Sequence, residues 1–293
     1  MNKCAVVVPI GPNCRPDFVN DTLDSVDFFC PDRLLVLVDD SKKGTGELVA
    51  KEHEATVIVV SEMGLAGGLF GSLSLGFQEA LKTDFDVLVR LDTDALVTDG
   101  RFATEAASFF EKNPKVGSLG SYKYGYSGSL RSVKQPRKRL LWEMSGGAFR
   151  NPRLAVHLGS LTLRALRHGY RPGESIMGGV ALYSRAAVEK LASAGALRDA
   201  LVTESALQED HLFALWLGSL GLRLADFGGD KDELPMGAKH KGLPAHPTRL
   251  LEKRKALVHS TRGFEDLDES EIRELFREDR QRRSRDTSMI EVY

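Results

Sequence analysis

Asp86-Val87-Leu88-Val89-Arg90-Leu91-Asp92-Thr93-Asp94 carries an apolar run of strand character into two carboxylates one residue apart. On a strand, positions i and i+2 share a face, so Asp92 and Asp94 converge at its carboxyl end. Two convergent carboxylates suit a hard divalent cation, which takes oxygen ligands and often arrives with a phosphate-bearing substrate. In an open α/β sheet the carboxyl edge is also where ligands bind. Taken alone the pair is weak evidence, because acidic residues commonly lead strands into loops. Its neighbours decide the matter.

Upstream, short apolar runs alternate with helical stretches. Cys4–Val8 closes at Pro9 and is followed by a helix over 17–29. Leu34–Val38 ends in Asp39-Asp40-Ser41, with a helix over 44–52. Thr56–Val60 leads through the small-residue loop at Gly64, Gly67 and Gly68 to a helix over 70–81, and a helix over 102–111 follows the fourth strand at 87–91. Strands alternating with helices predict βαβ units, and continuous apolar runs predict strands covered on both faces. The fold class is therefore α/β, a mostly parallel, doubly wound sheet with helices on both faces. Beyond Val116–Leu119 the pattern degrades. Tyr122 to Pro172 is rich in Gly, Ser, Arg and aromatic residues, with one helix expected over 154–167. A strand over 180–183, helices over 186–194 and 206–220, and a strand over 222–227 restore order. Ser205 with Gln208 reads as a capping box and Gly221 as a helix stop.

At 293 residues, 42% hydrophobic and 28% charged, the chain has material for a sizeable core. Net charge is −1, so no global field points to nucleic acid. Cys4, Cys14 and Cys30 form no even set and no C-x-x-C, which suits free thiols in a reducing compartment. No apolar window reaches membrane-spanning length, so the expectation is a cytoplasmic protein, with peripheral attachment at the membrane face as the alternative.

The absence of G-x-G-x-x-G and of G-x-x-x-x-G-K-[ST] disfavours a dinucleotide oxidoreductase or a P-loop enzyme. Asp39 and Asp40 stand where a carboxylate accepts hydrogen bonds from a base or ribose, or equally forms a turn. The glycines permit close backbone approach, to a ligand or simply to another segment.

In their order, Val6-Val7-Val8-Pro9, Val38-Asp39-Asp40-Ser41, Gly64–Gly71 and Asp92-Thr93-Asp94 resemble a GT-A glycosyltransferase. Gly178-Gly179-Val180-Ala181-Leu182-Tyr183-Ser184-Arg185 and Gln208-Glu209-Asp210-His211-Leu212 extend the likeness toward family 2, so that it covers about residues 5–227. The resemblance implies a Rossmann-like GT-A fold with a small acceptor-side extension. Residues 1–264 would form one domain, 1–100 holding the nucleotide sugar and 101–264 the acceptor, with the densely charged 265–293 read as a solvated helical tail. It implies transfer of a hexose from a nucleotide-diphosphate donor, UDP-linked in the commonest case, to a hydroxyl acceptor with inversion. Mn²⁺ or Mg²⁺ would sit at Asp92 and Asp94. Pro9, Asp39, Asp40, Gly64, Gly67, Asp92 and Arg262 would contact the donor, and Asp210 would be the general base, with Glu209 beside it. Relatives add a histidine ligand near the C-terminus: His259 is preferred to His240, because it follows an apolar run and has Arg262 nearby.

Arg137, Lys138, Arg139 and Trp142 suit an acceptor sugar, an anionic lipid-linked acceptor, a membrane face or a plain solvated loop. Homo-oligomerisation is open. Two rival readings remain. A haloacid-dehalogenase-type phosphatase would use Asp92 as nucleophile, Asp94 as acid/base and the acidic cluster Gly229-Asp230-Lys231-Asp232. A non-catalytic protein would bind nucleotide sugar without transferring it.

Overall fold

A computed structural model of the chain describes residues 3–61 and 64–290. Residues 1–2, 62–63 and 291–293 of the expected domain and tail lie outside the described residues. The order is β1 (Cys4–Ile10), α1 (Pro16–Phe29), β2 (Leu34–Asp39), α2 (Thr45–His53), β3 (Thr56–Val59), α3 (Gly67–Ala80) and β4 (Val87–Leu91). A short β5 (Ala95–Val97) precedes α4 (Arg101–Lys112) and β6 (Val116–Gly120). Two helices follow, α5 (Lys134–Met144) and α6 (Pro152–Arg167), then β7 (Val180–Ser184), α7 (Arg185–Ser193), α8 (Glu209–Ser219) and β8 (Arg223–Asp226). The chain closes with β9 (Met236–Ala238), α9 (Pro247–Glu252), β10 (Leu257–His259), a two-stranded turn of β11 (Gly263–Phe264) and β12 (Leu267–Asp268), and α10 (Glu269–Ile290).

Seven strands form the central sheet in the order β3-β2-β1-β4-β7-β6-β8. The first four are parallel and run 3-2-1-4, the order of a Rossmann-like nucleotide-binding half. Only β7 runs against the rest, pairing antiparallel with both β4 and β6. The sheet is thus mostly parallel, with one reversed strand that sequence periodicity does not reveal.

The alternation of side chains builds two cores. Ala5, Val7, Val36, Val38, Leu88, Ala181 and Tyr183 face α3, α6 and α8 on one side. Cys4, Val6, Val8, Leu35, Leu37, Val87, Val89 and Leu182 face α1 and α4 on the other. Helix α8 is buried all round from Leu212 to Leu217, as expected of a helix without a solvent stripe. Gly76 lets α3 lie close on the sheet, since a Cβ there would fall 2.5 Å from Val7 Cγ1.

Three local expectations are corrected. Helix α8 starts at Glu209, with Gln208 as its N-cap. Ser205 instead donates to the buried Glu143 carboxylate (2.6 Å) and accepts from the Leu207 amide. Residues 134–144 are a helix, not an irregular loop. The charged C-terminal helix is not solvated all round: Ile272, Arg273 and Phe276 are buried. Gly221, with φ +75°, does terminate α8.

Candidate active site

The acidic pair stands at the carboxyl end of β4, beside the point where the strand order reverses. A second sheet, β5-β10-β9, completes it. β10 pairs antiparallel with β5, so that His259 sits opposite Ala95, the residue after Asp94. Thr261 then locks the Asp94 backbone, donating from its amide (2.8 Å) and its hydroxyl (3.1 Å) to the Asp94 carbonyl. Ligand atoms of Asp92, Asp94 and His259 accordingly lie within 4.8 Å of one another. His240, the alternative histidine, is exposed and does not belong to this group. Gly179 makes room: with φ +97°, any Cβ it carried would fall inside the His259 imidazole. Its carbonyl accepts from the Asp92 amide (2.8 Å).

Electrostatics distinguish the two carboxylates. Burial pushes the Asp94 carboxyl up, but His259, Ser260 and Arg262 outweigh that and hold it below the usual range. Arg262, 71% exposed, reaches it at 2.9 Å. Burial dominates at Asp92 and raises it, opposed by Arg90 at 2.8 Å. Asp92 Oδ1, Asp94 Oδ1 and His259 Nδ1 are buried with no hydrogen-bond partner. Asp92 Oδ1 does carry the Arg90 ion pair, but two carboxylates and an imidazole with ligand atoms at this spacing could hold a divalent cation.

Arg90 was hidden in the apolar strand and is the residue that sequence reasoning missed most plainly. A guanidinium inside a covered strand demands partners, and it finds Asp92 and Glu209 (2.9 Å). Burial pushes the Glu209 carboxyl up to about 7, against Arg90 and with repulsion from Asp210 and Asp92. Asp210 turns the other way. It accepts from Ser175 Oγ (3.0 Å) and from the His211 amide (2.8 Å).

A cleft of about 550 Å³ opens over the pair, lined among others by Pro9, Asp40, Gly64, Asp92, Asp94 and Arg262. Asp40 receives the Gly64 amide (3.0 Å). Two expected donor contacts are not in this cleft. Asp39 is buried and spent on the α2 turn, accepting from the amides of Ser41 (2.8 Å) and Gly46 (2.7 Å). Gly67 is a packing glycine, because a Cβ there would strike the Val202 and Thr203 carbonyls. Its amide is taken by the Ser205 carbonyl (3.1 Å).

The C-terminal helix also reaches the cleft. Glu269 lines it and accepts from Thr261 Oγ1 (3.0 Å). Arg273, 1% exposed, donates to Asp21 (2.9 Å), Glu269 (2.9 Å) and the Thr93 carbonyl between the two aspartates (2.6 Å). Arg280 joins it on Asp21. On the other side of α8, a second cavity of about 500 Å³ is lined by Lys138, Arg139 and Trp142 of α5 together with Gln208 and His211.

No protein-family model matches this sequence, and no curated protein is similar to it. Solved structures do resemble the chain. A mannosyltransferase from Pyrobaculum calidifontis, in complex with GDP-Man and Mn²⁺, is 16% identical, with 77% of this chain and 54% of that one covered and a TM-score of 0.44. TarS from S. aureus is 17% identical, with coverage of 76% and 57% and a TM-score of 0.43. This chain therefore spans little more than half the length of those two. A glycosyltransferase involved in glycosylation of the major capsid of PBCV-1 is 12% identical, with coverage of 94% and 98% and a TM-score of 0.42.

Proposed function

We propose that the chain is a metal-dependent glycosyltransferase, moving a hexosyl group from a nucleoside-diphosphate donor to a hydroxyl acceptor with inversion. The observation that carries this reading is the cluster of Asp92, Asp94 and His259, whose two carboxylates line the cleft. Those three residues would hold Mn²⁺ or Mg²⁺, which when bound supplies positive charge against the leaving diphosphate. Pro9, Asp40 and Gly64 border the space for nucleoside. Arg262, exposed to the cleft and paired with Asp94, would pair with diphosphate oxygens. Arg90 and Glu209 fix Asp92 from behind, so Glu209 is a positioning residue in this reading. Asp210 takes the acceptor proton as the acceptor oxygen bonds to the anomeric carbon and the bond from that carbon to the diphosphate breaks. Ser175 orients its carboxylate. UDP is the starting expectation for the donor.

The phosphatase reading loses its support. Asp92 is paired to Arg90, while Asp230 and Asp232 are paired with Lys253 (3.1 and 3.5 Å) and do not line the cleft. Release of nucleoside diphosphate from a panel of UDP-, GDP-, CDP- and dTDP-sugars, with Mn²⁺ and with EDTA, tests the proposal. One donor consumed only with metal, and spared by Asp210→Asn despite unchanged donor binding, supports transfer. Metal-dependent binding with no turnover on any acceptor supports the non-catalytic alternative. No metal-dependent binding of any nucleotide overturns both.

A further inference from the structure

We propose that the surface made by α5, the turn after it and the outer face of α6 docks on an anionic lipid bilayer. Between Tyr122 and Pro172 the chain carries eleven Lys and Arg residues and a single carboxylate, Glu143, within a protein whose net charge is −1. Glu143 is buried and bonded to Ser205 and the Ala206 amide, so it does not offset the surface charge. Among the described residues outside the segment, only Glu204, at Asn151, and Asp199, at His157, reach α6, so cations outnumber carboxylates on this surface.

Apolar side chains stand among those cations. On α6, Arg153, Val156, Ser160, Leu163 and Arg167 follow one another at three- and four-residue spacing along a single exposed stripe. Its opposite face, Leu154, Leu158, Leu161 and Ala165, is spent on the core. Helix α6 thus has its own buried face and a second apolar set outside it. Phe149, at the tip of the turn between the helices, is 96% exposed, and Val156 is 75% exposed. Leu141 and Trp142 are exposed on α5, with Arg150 set over the Trp142 ring at 5.7 Å. Core packing requires none of these apolar groups to face outward, and their grouping exceeds a scatter of single exposed residues. Aromatic and aliphatic side chains interleaved with arginine describe a helix surface that lies in the headgroup region of a membrane. The sign of the charge selects an anionic bilayer. Among the described residues no helix is long and apolar enough to span, so attachment would be from one side. Lys138, Arg139 and Trp142 belong both to this surface and to the second cavity, which docking would hold at the lipid surface. The inference does not rest on the transfer reading, since the surface would dock whatever the cleft catalyses.

The test is flotation of the full chain with vesicles of phosphatidylcholine alone or with added phosphatidylglycerol, at low and high salt. The expected result is binding to the anionic vesicles only, weakened by salt. Phe149→Ser should lower the partition coefficient about tenfold. Arg153→Gln with Arg164→Gln and Arg167→Gln should lower it about a hundredfold. All these side chains are exposed, and unchanged thermal unfolding of each variant shows that the fold is intact. Equal binding to neutral vesicles, no binding to either, or binding unaffected by both variants would overturn the proposal. So would concentration-dependent dimerisation without lipid that Phe149→Ser abolishes, because the occupant would then be a second copy.

Discussion

Residues 3–100 and residues 122–172 are held by the same core and yet differ in how their chemistry is placed. In the first region, strand ends deliver the polar groups: Pro9, Asp40 and the pair Asp92 and Asp94 stand at the carboxyl ends of parallel strands, where the sheet itself fixes their spacing. In the second, helices pack one face on the core and present basic side chains and a second set of apolar ones to solvent. A site built on strand ends tolerates little change, because each ligand is locked by the ladder beneath it. A site on exposed helix faces tolerates much. Substitutions should separate the two regions accordingly.

The largest effect is expected from Asp94→Ala, which removes a metal ligand and leaves Arg262 and His259 without their carboxylate: metal-dependent nucleotide binding should disappear in calorimetry. Asp210→Asn should lower turnover by about 10²–10⁴-fold while donor affinity is kept, measured as kcat and Kd separately. Asp21→Ala leaves the buried Arg280 without its carboxylate and Arg273 with Glu269 alone, and should cost about 3–5 kcal/mol in urea unfolding. Gly179→Ala drives a methyl group into the His259 ring and should weaken metal binding about 10–100-fold, with a smaller loss of stability. At the small end, Leu163→Ser on the exposed face of α6 should move stability by no more than about 0.5 kcal/mol. A large stability loss there would erase the contrast between the regions.

The pH dependence sharpens the same contrast. Glu209 is raised from 4.5 to about 7 when folded, so the folded state holds its proton where the unfolded chain has lost it. Its contribution to stability is present below 4.5 and lost as pH rises toward about 7. Glu209→Gln should therefore flatten the stability profile across that window.

What the sequence made legible follows from the same physics. Val87–Leu91 is a strand with the ends expected, because its apolar run and acidic stop are local signals. Asp92 and Asp94 do come together as expected, but in the turn after β4, closed by the Ala95 amide on the Asp92 carbonyl (3.0 Å), and not through the period of two of a strand. His259 was readable only as a candidate, since its approach depends on β10 pairing with β5 across more than a hundred residues. Arg90 looked like part of an apolar strand, and its partner Glu209 lies far along the chain. Helix α5 escaped because Pro136 and a basic run disguise its first turns, and its anchor is the tertiary bond from Glu143 to Ser205. Asp39 and Asp40 are neighbours of one type that a strand end turns in opposite directions. No sequence period distinguishes them.

The most direct measurement is titration of Mn²⁺ by electron paramagnetic resonance, with and without nucleoside diphosphate, on the native chain and on Asp94→Ala and His259→Ala. The account predicts one ion bound per chain, tighter binding with nucleotide present, and loss of that binding in both variants. Binding undiminished in both, or no Mn²⁺ bound by the native chain with any nucleotide, would contradict it.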